Sequence, residues 1–162
     1  MDFETQFRRY YRAIYRFAYR IVQNEEDARD ITQETFGKLL ETMRQERTPE
    51  NVRAWLYRVA ANGSYNLVER TGRRAELRAQ QFETPAGTRD PADQMERLEQ
   101  TQRMWNSIEA LNHKDQTMLM LYHDGFSYRE MAEVLEINPN SVGKILARAV
   151  EKVRIQMNEE SR

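Results

Sequence analysis

Apolar side chains recur at intervals of three and four residues along almost the whole chain, the spacing of amphipathic α-helices. The first apolar stripe spans residues 3–21, a second spans 28–43 and a third spans 52–60. No stretch shows the strict alternation of apolar and polar residues that is typical of a half-buried strand. The pattern therefore predicts an all-α protein.

Polar residues between the stripes predict where these helices begin. Asn24 is a suitable N-cap, and the three acidic residues that follow it suit the positive end of a helix dipole. Thr48-Pro49 predicts the start of the third helix, since proline is favoured at the first helical position. Asn62-Gly63-Ser64 interrupts good helix formers and predicts a loop or a kink.

The helical pattern lapses between residues 82 and 94, which hold Pro85, Gly87 and Pro91 and almost no apolar residues. Such a composition is typical of a linker. Apolar residues at helical spacing resume at Met95. We therefore predict two small helical domains, 1–80 and 95–162, joined by a flexible linker over 81–94.

The segment from residue 124 to 154 predicts a helix-turn-helix. Gly125 suits the left-handed residue that ends a helix, and Ser127 with Glu130 forms a capping-box sequence. Asn138-Pro139 is an N-cap followed by proline at the first helical position. The turn between the two helices is therefore short, as in DNA-binding motifs.

A helical wheel separates the last helix into an apolar and a polar face. The apolar face holds Val142, Ile145, Leu146, Ala149 and Val153. The polar face holds Asn140, Ser141, Lys144, Arg148 and Glu151. Amides, hydroxyls and bases near a helix N-terminus suit base edges and phosphates in a major groove. The alternative is a plain amphipathic helix in a bundle.

Residues 50–78 interleave arginines with Trp55, Tyr57 and Tyr65. This mixture suits a nucleic acid with unstacked bases, because arginine binds phosphate while an aromatic ring offers a stacking face. Trp55 shares the helical spacing of Val52 and Val59, which favours a place in the core. The arginines at 70, 73 and 74 also fit a solvated helix end.

Charge alternates in blocks along the chain. Counting side chains in the sequence, residues 1–20 carry +3, 21–46 carry −4, 47–80 carry +4, 81–136 carry −6 and 137–162 carry +2, which sum to the total of −1. The near-neutral total thus conceals basic blocks that are candidates for phosphate-facing surfaces. The acidic blocks suggest a second partner that is not a nucleic acid, although a charged block is often only a solvated face.

Several classes of function are disfavoured by composition. The chain has no cysteine and two histidines, so we expect no disulfide and no metal site. No glycine-rich phosphate loop or nucleophile–base set stands out, so we expect neither an enzyme nor a cofactor. No apolar run approaches the roughly 20 residues of a membrane span, and the first residues do not resemble a signal peptide. A cytoplasmic protein is expected.

Three motifs together resemble the bacterial RNA polymerase sigma factors. NEEDARDITQETFGKLLE is similar to the family's signature segment, and NVRAWLYRVAANGSYNLVE is similar to the promoter-reading segment that follows it. DGFSYREMAEVLEINPNSVGKILARA resembles the family's C-terminal helix-turn-helix. The order of the motifs and the short two-domain chain resemble the extracytoplasmic-function group.

The resemblance implies partners and roles for individual residues. Core RNA polymerase would be bound through the acidic second helix by Asp27, Asp30, Gln33 and Glu34. The minus-ten element, with one base flipped out, would be bound by Asn62, Ser64, Tyr65, Arg70, Arg73 and Arg74. The minus-thirty-five element would be read as duplex by Asn140, Ser141, Lys144 and Arg148. The family also implies an anti-sigma factor as a partner and a role in directing polymerase to promoters and opening the DNA.

Four positions depart from the family's usual pattern. Gly143 and Ile145 stand in the recognition helix where the family usually has basic residues, which predicts weaker nonspecific attraction or a different promoter. Ala61 and Asn66 replace a commonly basic and a commonly acidic residue beside Asn62. A different class of function also fits residues 95–158, namely a dimeric helix-turn-helix regulator that binds DNA without polymerase, but it leaves the first domain unused.

Overall fold

The computed structural model describes residues 2–72 and 90–162. Within these two ranges the protein is all-α, as the apolar spacing predicts. Its helices are α1 (Phe3–Val22), α2 (Glu25–Arg44), α3 (Val52–Thr71), α4 (Pro91–Glu109), α5 (His113–His123), α6 (Tyr128–Leu135) and α7 (Pro139–Glu160). Among the described residues, no helix combines the length and the apolar character that a membrane span needs.

Helices α1, α2 and α3 pack together as the N-terminal unit, residues 2–72. The predicted apolar stripes point into its core, where Phe17 of α1, Phe36 of α2 and Leu56 of α3 are buried. Asn24 caps α2 as predicted, since its Oδ1 accepts from the Asp27 backbone N–H at 2.9 Å. Burial of these large apolar side chains is the main force that holds the three helices together.

Two predictions about α3 are wrong. The helix begins after Asn51, whose Oδ1 accepts from the Ala54 N–H at 3.0 Å, and not at Thr48-Pro49. It also continues through Asn62-Gly63-Ser64 as one α-helix, which contradicts the predicted loop, while the alternative of a kink stays a prediction. Glycine costs a helix about 1 kcal/mol relative to alanine, which burial of the surrounding α3 side chains outweighs. A Cβ added to Gly63 would lie 3.7 Å from Ile31 Cγ2, so α2 passes close to α3 here.

Helices α4 to α7 form the C-terminal unit, residues 90–162. Helix α4 begins at Pro91, with Asp90 as its N-cap, so residues 91–94 are helical rather than part of the linker. Proline at the first helical position explains this start, because its missing N–H is not needed there. The rest of the predicted linker, residues 81–89, lies outside the described residues.

The N-terminal and C-terminal units pack against each other. Helix α3 contacts α6, and the ring of Tyr57 meets that of Phe126 at a centroid distance of 4.7 Å. Both rings are buried. The sequence predicted two domains joined by a linker and did not predict this contact. Only the tertiary structure shows that α5 and α6 lie against α3.

Candidate nucleic-acid interfaces

The helix-turn-helix is built by the capping residues that the sequence predicts. Gly125 adopts a left-handed φ of 79° before α6. The Glu130 N–H donates to Ser127 Oγ at 3.2 Å, and the Ser127 N–H donates to Glu130 Oε2 at 2.9 Å, which completes the capping box. The hydrogen bond from the Ser127 backbone holds the pKa of Glu130 below its ordinary value of 4.5. These contacts fix the start of the first helix of the motif.

The turn into α7 is also confirmed. Asn138 caps α7, accepting from the Asn140 N–H at 2.9 Å, and Pro139 occupies the first turn. Glu136 ends α6 with a left-handed φ of 54°, a conformation more common for glycine or asparagine. Nothing in the residue type of Glu136 signals this conformation, which the tight connection between two packed helices imposes.

Helix α7 presents the predicted polar residues on one face. Val142, Leu146 and Ala149 are buried against the C-terminal unit. The opposite face exposes Asn140, Lys144 and Arg148, whereas Ser141 is half-buried. Exposed amide and basic groups on the N-terminal half of a second helix suit base edges and phosphates in a major groove.

Gly143 lies beside an aromatic ring from the preceding helix. A Cβ added to Gly143 would stand 3.6 Å from Cε2 of Tyr128, an ordinary van der Waals contact. Tyr128 is itself 49% exposed at the start of α6. The residue that approaches Gly143 is therefore a side chain and not a helix backbone.

A polar cavity of about 600 Å³ lies between α2 and α3. Its α2 wall carries acidic side chains, including Asp30 and Glu34, and its α3 wall carries Asn62 and Arg70. Asn62 and Arg70 are both exposed. This arrangement gives a polar group the size of a nucleobase access to the Asn62 amide, with an arginine on the same wall for a phosphate.

Two further minus-ten candidates are not exposed beside Asn62. Ser64 is 0% exposed and Tyr65 is 7% exposed. The Tyr65 hydroxyl accepts from Thr117 Oγ1 at 3.1 Å and donates to Gln116 Oε1 at 3.4 Å. Its ring stacks on the His113 imidazole with centroids 4.0 Å apart and planes 14° apart. Tyr65 is thus held by α5, while Arg73 and Arg74 lie outside the described residues.

The acidic face of α2 is largely open. Asp30, Gln33 and Glu34 are exposed, and Asp27 is half-buried near the start of the helix. Glu34 Oε1 lies 2.7 Å from Lys38 Nζ, one turn further along. Such an exposed pair contributes little to stability, about 0–1 kcal/mol, so Glu34 is available to a partner.

Three arginines of the N-terminal unit bind acidic groups of the C-terminal unit. Arg20 makes a bidentate pair with Asp124, at 3.1 and 2.6 Å. Arg53 lies 3.4 Å from Glu130, and Arg58 lies 3.4 Å from Glu136. Within the basic block at 47–80, Arg53 and Arg58 are thus paired inside the molecule, whereas Arg70 is exposed and remains a candidate for phosphate. For Arg53 and Arg58 the signal was the acidic block that directly follows their own basic block, whereas Arg20 and Asp124 come from blocks that are not adjacent.

An aromatic cluster lies at the centre of the same interface. Phe126 packs edge-on to Tyr57, and the Arg53 guanidinium stands 3.7 Å from the centre of the Phe126 ring. Burial, with the nearby Asp124 carboxylate, raises the pKa of Tyr57 to about 12. Tyr57 is consequently a packing residue. Its place among arginines had also fitted stacking on an unpaired nucleic-acid base. Trp55, half-buried and packed against the core, agrees with the prediction that it is a core residue.

No group of three or more potential metal ligands occurs among the residues that the structure describes. The candidate site consists of two separate polar faces. One is the α7 face, and the other is the α2–α3 cavity, one wall of which is the acidic side of α2.

Comparison with known proteins gives two family matches in chain order. Residues 6–74 match Sigma-70 region 2, and residues 94–153 match Sigma-70 region 4. The chain is 31% identical to the ferric citrate uptake sigma factor FecI of Escherichia coli, over 82% of this chain and 77% of that protein. It is 27% identical to the ECF RNA polymerase sigma factor SigW of Bacillus subtilis, over 90% of this chain and 83% of that protein.

A solved structure has a similar fold. It is the sigma factor RpoE of Bartonella quintana in complex with the anti-sigma factor NepR, with a TM-score of 0.67 and 20% identity. The likeness covers 97% of each chain. The all-α fold is therefore shared with that protein.

Proposed function

Since the chain belongs to the extracytoplasmic-function (ECF) group of RNA polymerase sigma factors, we propose that it binds core RNA polymerase, directs it to specific promoters and helps to open the DNA there. The observation that carries this proposal is the presence, in one chain, of both matched regions, each with an exposed polar face. A dimeric regulator acting without polymerase is not favoured, because it would leave the region 2 match and the acidic face of α2 without a role.

The N-terminal unit binds the polymerase through α2. Asp30, Gln33 and Glu34 are exposed along this helix, with Asp27 at its start. An acidic face of this kind favours a basic helical surface on the polymerase, since complementary charge speeds and orients association. Residues 1–80 thus serve both the polymerase contact and the minus-ten element.

The C-terminal unit, with the helix-turn-helix within residues 95–162, binds the minus-thirty-five element as duplex. Asn140 and Ser141 lie in the first turn of α7, where a recognition helix meets base edges. Lys144 and Arg148 follow at helical spacing on the same side. Their charges displace counterions from the DNA, so binding through α7 should weaken as salt rises.

The α2–α3 cavity receives a base of the minus-ten element. Removing a base from the stack costs a few kcal/mol, which contacts in a pocket must offset. The Asn62 amide supplies both a donor and an acceptor to the base edge, and Arg70 binds the adjacent phosphate. Resemblance to the family adds Arg73, Arg74, Ser64 and Tyr65, of which Ser64 and Tyr65 are buried and would have to be uncovered before they could touch DNA.

The role is non-catalytic, and the protein works in the cytoplasm with the polymerase. An anti-sigma factor is a further proposed partner, since the exposed α2 and α7 faces are the surfaces that an inhibitor must cover. No cofactor is required for this role, because binding energy to the polymerase and to DNA drives promoter opening.

Run-off transcription with purified core polymerase on genomic fragments tests the proposal. We expect promoter-specific transcripts only when the protein is added. The Asn62→Ala variant should give fewer transcripts from the same fragments. Absence of any specific initiation, together with a DNA-binding dimer that ignores polymerase, would overturn the proposed function in favour of a stand-alone regulator.

A further inference from the structure

We propose that the face of α3 formed by Arg53, Tyr57, Arg58 and Tyr65, here called the clasp face, is an interaction surface for the chain's own α5–α6 segment, and that this contact withholds Tyr65 from single-stranded promoter DNA. The inference rests on the proposed function only where it concerns DNA. The surface itself is argued from contacts within the chain.

Charge complementarity identifies the occupant of the clasp face. The clasp face contributes two arginines, and the C-terminal unit places Glu130 and Glu136 opposite them, each at 3.4 Å. At one end of the same interface Arg20 of α1 binds Asp124 through two hydrogen bonds, and both side chains are about 20% exposed. In these three pairs the arginine lies on the N-terminal unit and the acid on the C-terminal unit, while near Tyr65 the polarity reverses and Glu69 of α3 lies 3.4 Å from His113 Nδ1 of α5. Each charged group at this interface thus faces one of opposite sign or, at His113, a group that can acquire it.

An apolar contact at the centre gives the interface its register. Phe126 enters between Tyr57 and the Arg53 guanidinium, and it is only 5% exposed. A buried aromatic residue with a polar rim is the usual anatomy of a specific interface. Interfaces between domains of one chain resemble transient protein–protein contacts, so this one is expected to open as well as close.

Tyr65 gives the contact a consequence for DNA. A base that stacks on Tyr65 needs a free ring face, but the His113 imidazole already lies parallel to the ring at 4.0 Å. The Tyr65 hydroxyl is also bound, to Thr117 and Gln116. Every one of these partners belongs to α5. Tyr65 therefore cannot bind α5 and a single strand at the same time, whereas Asn62, three residues earlier, remains exposed.

The chain contains no cysteine, which makes a direct test practical. Fluorophores on Arg44→Cys in α2 and Asn158→Cys in α7 report the distance between the two units in the full chain. In that background, His113→Ala with Asp124→Ala removes the stacking partner and the bidentate ion pair without altering any proposed DNA contact. Glu151→Ala is the matched control, because it removes one acid of the C-terminal unit that pairs only within α7, with Arg154.

The double substitution should lower the energy transfer between fluorophores. It should also raise affinity for an oligonucleotide carrying the non-template strand of the minus-ten element, from a promoter found by run-off transcription, by about tenfold. Glu151→Ala should leave both within twofold. Circular dichroism of the double variant must match that of the unsubstituted chain, since an unfolded α5 would lower energy transfer for another reason.

A locked variant provides the opposite test. Arg58→Cys with Glu136→Cys, joined by a reducible bifunctional thiol reagent, should hold α6 on the clasp face. Affinity for the strand should fall at least tenfold and recover when reductant cleaves the bridge. Equal affinity of the locked and released forms, or unchanged energy transfer in the His113→Ala/Asp124→Ala chain, overturns the proposal. If run-off transcription finds no promoter, the proposed function fails, and the energy-transfer result alone decides whether the clasp face is an interaction surface.

Discussion

The two proposed DNA-binding faces differ in what the rest of the molecule does to them. On α7, Asn140, Lys144 and Arg148 are exposed, and the apolar side of the helix packs against the C-terminal unit. On α3, Asn62 and Arg70 are exposed, but Tyr65 is held by α5. Similar sequence signals, basic and polar residues at helical spacing, therefore lead to one open face and one partly covered face.

The difference arises from the number of neighbours that each helix has. Helix α7 packs on one side against its own unit, so its other side stays in solvent. Helix α3 packs against α1 and α2 on one side and meets α6 on another. A central helix with contacts on two sides has less surface left for DNA, and a contact must be released to recover it.

The largest effect is expected from removing the Phe126 ring, which lies at the interface between α3 and the C-terminal unit. Phe126→Ala deletes a buried ring that both units share, and such substitutions cost about 3–5 kcal/mol. Urea unfolding of the full chain measures the loss. Tyr122→Ala is the control, since Tyr122 is 56% exposed on the same unit and should change the free energy of unfolding by less than about 0.5 kcal/mol. Similar losses for both variants would show that Phe126 does not join the units.

Asn62→Ala should separate opening from duplex binding. The amide is proposed to bind a flipped base, so its loss should impair promoter opening by about tenfold or more, the equivalent of about 1.4 kcal/mol. Permanganate footprinting of the melted region, with core polymerase, measures this. Binding to duplex containing the minus-thirty-five element should stay within twofold. A larger loss in duplex binding than in opening contradicts the assigned role.

Lys144→Ala and Arg148→Ala should show the converse pattern. Each should weaken binding to the minus-thirty-five duplex several-fold, and each should reduce the slope of log affinity against log salt by about 1 if the side chain contacts a phosphate. Fluorescence anisotropy at several salt concentrations gives both quantities. Lys152→Ala is a suitable control, because Lys152 pairs with Asp115 at 2.6 Å within the C-terminal unit. Equal effects of Asn62→Ala, Lys144→Ala and Arg148→Ala on duplex affinity would refute the division between the two faces.

Gly143→Ala in α7 should increase the free energy of unfolding. Alanine is favoured over glycine inside a helix by about 1 kcal/mol, and the added Cβ would make an ordinary contact with Tyr128. Thermal unfolding should therefore shift upward. A loss of stability would show that the Tyr128 ring cannot tolerate the methyl group.

The smallest expected effect concerns pH. The pKa of Glu130 is lowered in the folded state, so the carboxylate stabilises the fold above its ordinary value of 4.5, and this contribution is lost as pH falls through the lower folded pKa. Glu130→Gln should remove part of the pH dependence of unfolding below about pH 4.5. Glu133→Gln, one turn along α6, serves as the control. Identical pH profiles for the unsubstituted chain and Glu130→Gln would contradict the capping role of the charge.

Local signals predicted the C-terminal unit well. Gly125, Ser127, Glu130, Asn138 and Pro139 each act through hydrogen bonds or backbone restrictions that span a few residues, and each is found in the predicted role. The apolar stripes likewise predicted which side of α7 is buried. Local signals failed at the start of α3, where the N-cap is Asn51 and not Thr48, and at Asn62-Gly63-Ser64, where packing in the N-terminal unit keeps the helix continuous.

The sequence by itself determined the helical class, the caps of the helix-turn-helix and the polar residues that α2 and α7 expose, because each depends on neighbours within one or two helical turns. Only the tertiary structure decided that Tyr65 faces α5 and that Arg20 binds Asp124. Tyr65 and its α5 partner Gln116 are 51 residues apart in the chain, and Arg20 and Asp124 are 104 residues apart. Their contacts therefore depend on how whole helices pack. Alternating charge blocks hint that some such pairing exists, but spacing along a chain does not specify which surfaces meet.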